Sequence, residues 1–470
     1  MRCECCKVAW RTGKRRRRKM KRHETVGAEV NPLGIEGPGA RQRTKVYLAG
    51  MNLKELRQGF YDELFEVALP FWDIYGIDHE NGGVMCALDY DGIRINTDKV
   101  LWFQGRAIWV YSFLYNHFGK DPRYLEVARK TKEFVLKYAR QEDGWWAELL
   151  SREGKVLRPF SGDTEGMYFI VEGLQEYAAA TGDEQCREIA FHLLRKLFRH
   201  FDTPDFRYRG ADFPYLWNSQ QAVRPQGLWM VILYISTQML RRWNDPEIAA
   251  IADRALDAIV NRHYNPEIGL NTEMLYFDFS RPKEEECKSR FGHSVEALWM
   301  ALEEATRRGD DAVWGTCAER IQRHLDAGWD YIYGGLAQWI NVDQPTYQWP
   351  VEDPLGTGLE MHFIGEYEYM KALWALEETL VATLKVFERT GAWWAARYFG
   401  MAQKVIDEKF SQKRRGNPGY MLFADRRMTW QPHVFRQDNY HPLRQLMLCL
   451  LTLDNMIRRE RKAERVERDG

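Results

Sequence analysis

The amino-acid sequence predicts an all-α fold: an (α/α)6 barrel of six helical hairpins, with small β-hairpins in the long loops. Three observations predict it. An apolar helix, a short polar break and a second helix recur along the chain. The first four breaks, near Gly119, Gly182, Asn244 and Gly309, follow at steps of 63, 62 and 65 residues, and a fifth lies near Gly391. Finally, a helix expected over 53–69 and an apolar helix expected over 442–458 pair as the sixth hairpin, joining the first helix to the last. An open α-solenoid of the same hairpins is the alternative; the chain length and this pairing favour closure.

Taken in order, residues 1–50 hold 14 Lys/Arg and 4 Asp/Glu with no apolar periodicity. They read as a disordered basic extension, or as sequence ahead of a mis-assigned start at Met51. Asn52 is the expected N-cap of the first helix. In "AAATGDEQC" an Ala-rich helix stops at Gly182 and the next is capped by Asp183; the other breaks carry Gly or Asn with Asp or Pro in the same sense. The links between hairpins are long, aromatic and Gly-containing, with short alternating runs that suggest strands. A single barrel domain is expected over 51–460, followed by a charged tail, 461–470.

The second helix and each alternate one after it form the expected inner ring, starting near 99, 165, 226, 292, 368 and 441. The chemically unusual residues cluster at those starts. The first carries Lys99, Trp102, Gln104 and Arg106. A cation at a helix start opposes the dipole, so Arg106 either binds oxygen-rich ligand atoms or pairs with a neighbouring acid. Asp163 and Glu165 open the second, where capping is their plain role. His293 and Glu296 are three apart on one helical face at the fourth start, with Glu296 the expected orienting acid for His293, and His441 and Arg444 are three apart at the sixth. Two imidazoles at one end of a barrel can act as base and acid near neutral pH. Lys371, Trp374 and Glu378 mark the fifth start, where Trp374 and Glu378, four apart, share a face suited to a sugar ring, or Trp374 serves core packing. His117, His192, His200 and His324 belong to outer helices or turn ends. His79, His433 and His362 are weaker candidates for the mouth.

Composition excludes several function classes. Residues 51–470 hold 53 Lys/Arg against 63 Asp/Glu, a net −10 that repels nucleic acid and anionic membranes. No apolar run reaches the roughly 18–20 residues of a membrane span. The eight cysteines form no CxxC pair, so they read as free thiols, and a cytoplasmic protein is expected. No HExxH, phosphate loop or G-x-S-x-G elbow occurs, so no metal and no cofactor are expected.

The segments "GGVMCALDYDGIRINTDKVLWFQGRAIWVYSF", "FGHSVEALWM", "KALWALEETL" and "YHPLRQLM" resemble the N-acylglucosamine 2-epimerase family, from about Met51 to Leu453. That family includes acylglucosamine, mannose and cellobiose 2-epimerases and mannose isomerases. The resemblance implies an (α/α)6 barrel, catalytic His293 and His441, and a substrate-binding set of Arg106, Trp102, Gln104, Glu296, Trp374, Glu378 and Arg444. In this chain Leu373 stands where the family motif has a first Trp. Pro442 follows His441 directly, and Leu443 precedes Arg444. The third inner helix, "AVRPQGLWMVIL", lacks the histidine credited with ring opening in members that act on cellobiose or mannose. The implied reaction is C2 epimerisation of a reducing sugar of the N-acylglucosamine/N-acylmannosamine type. One imidazole removes the proton α to the carbonyl and a cis-enediolate forms. Arg106 steadies the oxyanion, and a proton returns from the other face. Aldose–ketose isomerisation or cellobiose epimerisation is the near alternative. A glycoside hydrolase on the same barrel, using two carboxylates, and a non-catalytic binding protein are the distant ones. The expected partners are a small-molecule sugar and, at most, a second copy of the chain.

Overall fold

The computed structural model describes residues 46–207, 223–283, 285–341, 370–411, 421–422 and 437–469. Among them twelve α-helices alternate between an outer and an inner ring. The outer helices are α1 (Leu53–Asp62, extended by π-helical turns to Gly76), α3 (Pro122–Tyr138), α5 (Glu184–Phe201), α7 (Pro246–Asp257), α9 (Asp311–Gly328) and α11 (Trp393–Val405). The inner helices are α2 (Leu101–His117), α4 (Glu165–Thr181), α6 (Gln226–Leu240), α8 (Phe291–Arg308), α10 (Leu373–Thr390) and α12 (His441–Asp469). Each inner helix packs on the next around the ring, α12 returns to α2, and α1 packs on α12. The barrel is therefore closed, with first and last helices forming the sixth hairpin. No described helix is long and apolar enough to cross a membrane.

The helix ends follow their local chemistry. Gly182, Gly309 and Gly391 end α4, α8 and α10 in the left-handed conformation, which costs glycine little. Asp121, Asp183, Asp245 and Asp310 then cap the following outer helices through side-chain bonds to backbone N–H groups. Asn52 caps α1 in a capping box closed by Glu55. Gly105 serves a different purpose. A Cβ there would stand 2.3 Å from the Phe169 carbonyl carbon, and one on Gly173 would stand 2.6 Å from the Gly105 oxygen. The two glycines let α2 and α4 touch backbone to backbone.

Three boundaries differ from expectation. The fifth inner helix starts at Leu373 rather than near 368, because Lys371–Ala372 is a strand. The last helix runs to Asp469, so the charged tail is largely helical. The folded part already includes Tyr47–Leu48, which pairs with Met51–Asn52.

The strands also do more than form local hairpins. Leu149–Leu150 with Val156–Arg158, and Tyr264–Asn265 with Leu270–Asn271, are such hairpins. Four other ladders join the strand just before an inner helix to a strand after the next outer helix. These are 99–100 with 149–150, 223–225 with 274–276, 288–290 with 339–341, and 371–372 with 421–422. Long loops at the inner-helix N-termini are thereby tied to one another, which makes that end of the barrel a rigid rim.

Two buried histidines fasten the segment 270–276 to this rim. The Asn271 N–H donates to His324 Nε2 at 2.9 Å, so His324 Nδ1 carries the proton and donates to the Arg320 carbonyl at 2.7 Å. His263 Nδ1 bonds the Thr272 carbonyl at 2.8 Å. Burial holds both imidazoles down to about 4. The unfolded chain binds these protons below about pH 6.5 while the fold refuses them, so stability falls as pH drops. Each histidine withdraws up to about 3 kcal/mol between pH 6.5 and 4, and the loss is complete below the lower value. Thermal unfolding followed from pH 7 to 5 should show a steadily falling midpoint, and a flat profile contradicts this account.

Candidate active site

The N-termini of all six inner helices meet at the tied rim, so their first turns face one another. His293 is the third residue of α8 and His441 the first of α12. Trp374, in the first turn of α10, lies against both: its ring centroid is 5.4 Å from His293 and 5.7 Å from His441. Both imidazoles retain partial exposure, 18% and 12% of the side chain. Each is held at Nδ1 by a carboxylate. His293 Nδ1 is 2.9 Å from Glu273 Oε1, and His441 Nδ1 is 2.6 Å from Asp438 Oδ2. A carboxylate can only accept, so in the neutral rings the proton sits on Nδ1 and the lone pair on Nε2. Asp438 is itself fixed, its Oδ1 accepting the N–H groups of Tyr440 and His441.

Arg106 lies among the Trp102, Phe169 and Tyr440 rings, at 4.8, 4.1 and 4.6 Å, and 4.0 Å from Asp438. The aromatic faces and the carboxylate compensate a cation that is nearly buried. Both readings of its charge therefore stay consistent with one position: beside an acid, and at the rim.

One turn deeper, Arg444 binds Glu296, Glu378 (2.8 Å) and the Tyr440 hydroxyl (3.2 Å). Trp299 Nε1 donates to the other Glu378 oxygen at 2.7 Å. Burial pushes the Glu296 carboxyl up, but Arg444 and then His441 bring it below the ordinary value. For Glu378 burial prevails over Arg444, and its carboxyl is held above the ordinary value. Glu296, Glu378 and His441 place one donor atom each within 4.8 Å of the others, as a metal ion would require. The Arg444 guanidinium already bridges the two carboxylates, so a fixed organic cation supplies the charge there.

The structure redistributes several sequence-predicted residues. Glu296 was expected to support His293; Glu273 holds that ring instead, and Glu296 lies with Arg444, 4.0 Å from His441 Nε2. Gln104 was expected to bind substrate; its amide is spent on Val84 N (2.8 Å), Val84 O (2.9 Å) and Val100 O (3.2 Å), and it is fully buried. Glu378 was expected to share a sugar-facing surface with Trp374; it is buried against Arg444 and Trp299. Lys99 and Lys371 pair with Asp78 (2.9 Å) and Asp330 (3.1 Å) in the loops. Asp163 accepts the Glu165 N–H at 2.9 Å, the expected capping role. His79 is exposed beside Asp73. His362 and His433 lie outside the described residues. Cys186, Cys317 and Cys449 are buried free thiols. Sequence reasoning missed Glu273, Asp438 and Tyr440. The one available signal was Asp438's position three residues before His441.

The chain matches the family model described as N-acylglucosamine 2-epimerase over residues 82–443. It belongs to the N-acylglucosamine 2-epimerase family. It is 27% identical to the N-acylglucosamine 2-epimerase of Mus musculus over 58% of this chain and 66% of that protein. With the Bos taurus protein of the same name it is 25% identical over 83% of this chain and 90% of the other. The fold is similar to the crystal structure of a sugar epimerase from a ruminal bacterium, with a TM-score of 0.70 and 17% identity, over 84% of this chain and 98% of that one. By family the chain is thus an isomerase, a carbohydrate epimerase.

Two consequences can be measured. Glu273→Gln and Asp438→Asn keep size but let Nδ1 accept, which favours the wrong tautomer. Each should lower kcat by about 10²–10⁴ while the unfolding midpoint stays near wild type. Arg444→Met leaves Glu296 and Glu378 buried without their cation and should destabilise the fold by about 3–5 kcal/mol in denaturant titration.

Proposed function

We propose that this protein interconverts the C2 epimers of an N-acylated hexosamine, N-acylglucosamine and N-acylmannosamine, through the enolate formed across C1 and C2. The observation that carries this reading is the pair of imidazoles on either side of Trp374, each oriented by its own carboxylate with Nε2 available. In the open-chain sugar the hydrogen on C2 is acidified by the neighbouring carbonyl. One Nε2 removes it, the electron pair moves into the C1–C2 bond, and negative charge develops on O1. Arg106, at the rim beside Asp438, is the cation assigned to that oxygen. The other imidazole, protonated, returns a proton to the opposite face of C2. On a 2-hydroxy aldose the same step gives a cis-enediolate, and return of the proton to C1 instead would give the ketose. The reaction so written needs no redox cofactor. Trp374 offers an aromatic face between the two bases, on which a sugar can lie.

The substrate class is supported by the family description and by the first turn of α6. That turn opens with Gln226 and Gly227, and a Cβ on Gly227 would stand 3.1 Å from His293 Cε1. It presses on the catalytic ring without adding the third histidine of cellobiose- and mannose-acting members. Two of the carboxylates a hydrolase could use, Glu378 and Asp163, are engaged, the first with Arg444 and the second with the Glu165 N–H. The free thiols favour a reducing compartment, the cytoplasm.

Incubation in D₂O with N-acetylmannosamine, N-acetylglucosamine, mannose and cellobiose separates the alternatives by NMR. Deuterium at C2 together with the 2-epimer of an N-acetyl sugar is expected. A ketose labelled at C1 would make the protein an isomerase. His293→Ala and His441→Ala should each lower turnover by about 10³-fold or more without loss of fold; unchanged turnover in both sinks the assignment.

A further inference from the structure

A second cavity, of about 300 Å³, lies on the flank of the barrel between α1 with its continuation and helices α10, α11 and α12. Its walls are apolar, with Leu56, Phe60, Trp72, Leu380 and Leu446 among them. Four carboxylate residues also line it. Glu63 and Asp407 are exposed at its rim, Glu377 is buried within it, and Asp438 is half-buried. None of the described lining residues is Lys, Arg or His.

The polar atoms inside are short of partners. Glu377 is 4% exposed, and its Oε2 has no hydrogen-bond partner among the described residues. The same holds for Gln403 Oε1, whose Nε2 is spent on Asp407 at 3.0 Å. Gln437, 5% exposed, leaves a buried Nε2 donor unpaired among the described residues. Buried polar groups are normally satisfied, so three open ones on one cavity mark a place built for a polar guest. The two acceptors sit among described lining residues that include acids and no bases, within a chain whose residues 51–470 carry a net −10. The guest is therefore a cation. The apolar walls call for a carbon skeleton, and the Gln437 amide calls for an oxygen or nitrogen acceptor on it.

We propose that this flank cavity binds a small protonated primary amine, its ammonium between the Glu377 carboxylate and the Gln403 carbonyl and its carbon skeleton against Phe60 and Trp72. Amino sugars and alkyl diamines share that chemistry. The site is separate from the sugar mouth but shares Asp438 with it, the residue that holds His441. Burial first, then the Asp438 and Glu378 carboxylates with Glu63 behind them, hold the Glu377 carboxyl well above the ordinary range against the pull of Arg444. An ammonium beside it pulls the other way, toward the ionised carboxylate.

The test is calorimetric titration of the full chain with glucosamine and, separately, with putrescine, in an amine-free buffer. Saturable one-site binding is expected. Glu377→Gln should weaken it by about tenfold or more. Asp407→Asn, at the exposed rim, should weaken it in a variant whose folding is not in question. Tighter binding of glucosamine assigns the Gln437 amide to its hydroxyls; tighter binding of putrescine assigns its second ammonium to Glu63 and Asp407. Either supports the site. Absence of saturable binding with both amines overturns it. So does binding that survives Glu377→Gln and Asp407→Asn but is lost on Arg106→Met, which would put the amine at the mouth.

Discussion

Arg444 is the interaction around which the barrel closes. It is buried, and its guanidinium joins α12 to α8 through Glu296 and to α10 through Glu378. Through Tyr440 the network continues. The Tyr440 hydroxyl donates to Glu172 of α4 at 2.7 Å, and Gln238 Nε2 of α6 donates to the same carboxylate at 3.0 Å. Trp109 Nε1 of α2 reaches Gln238 Oε1 at 2.8 Å. Every inner helix thus places a polar side chain in one connected set. A barrel of this kind leaves its axis too wide for apolar packing alone and too dry for loose charges. One cation shared among carboxylates, with hydroxyl and indole donors, resolves both. Such a network contributes less to net stability than to specifying one arrangement of the helices, since any shift strands a charge.

That constraint reaches the histidines of the rim through short covalent distances. Tyr440 precedes His441, and Arg444 is one turn beyond it. Glu296 is one turn beyond His293. The histidines are therefore fixed from below by the network and from the side by carboxylates on separate strands and loops. Trp374 lies between the rings and is carried by the same helix as Glu378. Positioning at this rim is a property of the whole ring of helices.

Much of the fold was legible because its signals are local. Gly182 with Asp183, or Asn244 with Asp245 and Pro246, end one helix and start the next by chemistry contained within a few residues. The hairpin beat and the pairing of α1 with α12 followed from those punctuation marks. The strand ladders were not legible. Each joins segments about fifty residues apart, and a two-residue strand carries no periodicity of its own. Of the site, the histidines were legible as helix-start residues, but their partners were misread. Sequence spacing suggested Glu296 for His293, since i and i+3 share a helix face. Side chains on a helix lean toward its N-terminus, so a ring in the first turn meets the rim loops rather than the next turn inward. Gln104 failed for a related reason: a polar residue at an inner-helix start can serve the loop behind it as readily as the lumen.

Glu273 shows what the repeat itself encodes. The first residues of α2, α6 and α8 donate their N–H groups to the carbonyls of Glu148 (3.0 Å), Glu273 (2.8 Å) and Gln338 (3.1 Å). Each acceptor lies 29 residues beyond its hairpin marker: Gly119 to 148, Asn244 to 273, Gly309 to 338. The three are one position of the repeat, where the loop after an outer helix caps the inner helix before it. The backbone there has a fixed structural duty, which leaves the side chain free to differ. Glu148 uses it to bind the Ser161 N–H at 2.7 Å ahead of α4, and Glu273 uses it to hold His293. A loop-fastening position that already faces the next inner helix needs only a carboxylate to orient an imidazole. In this fold the setting of His293 is thus a specialised use of the same contacts that tie the barrel's loops together.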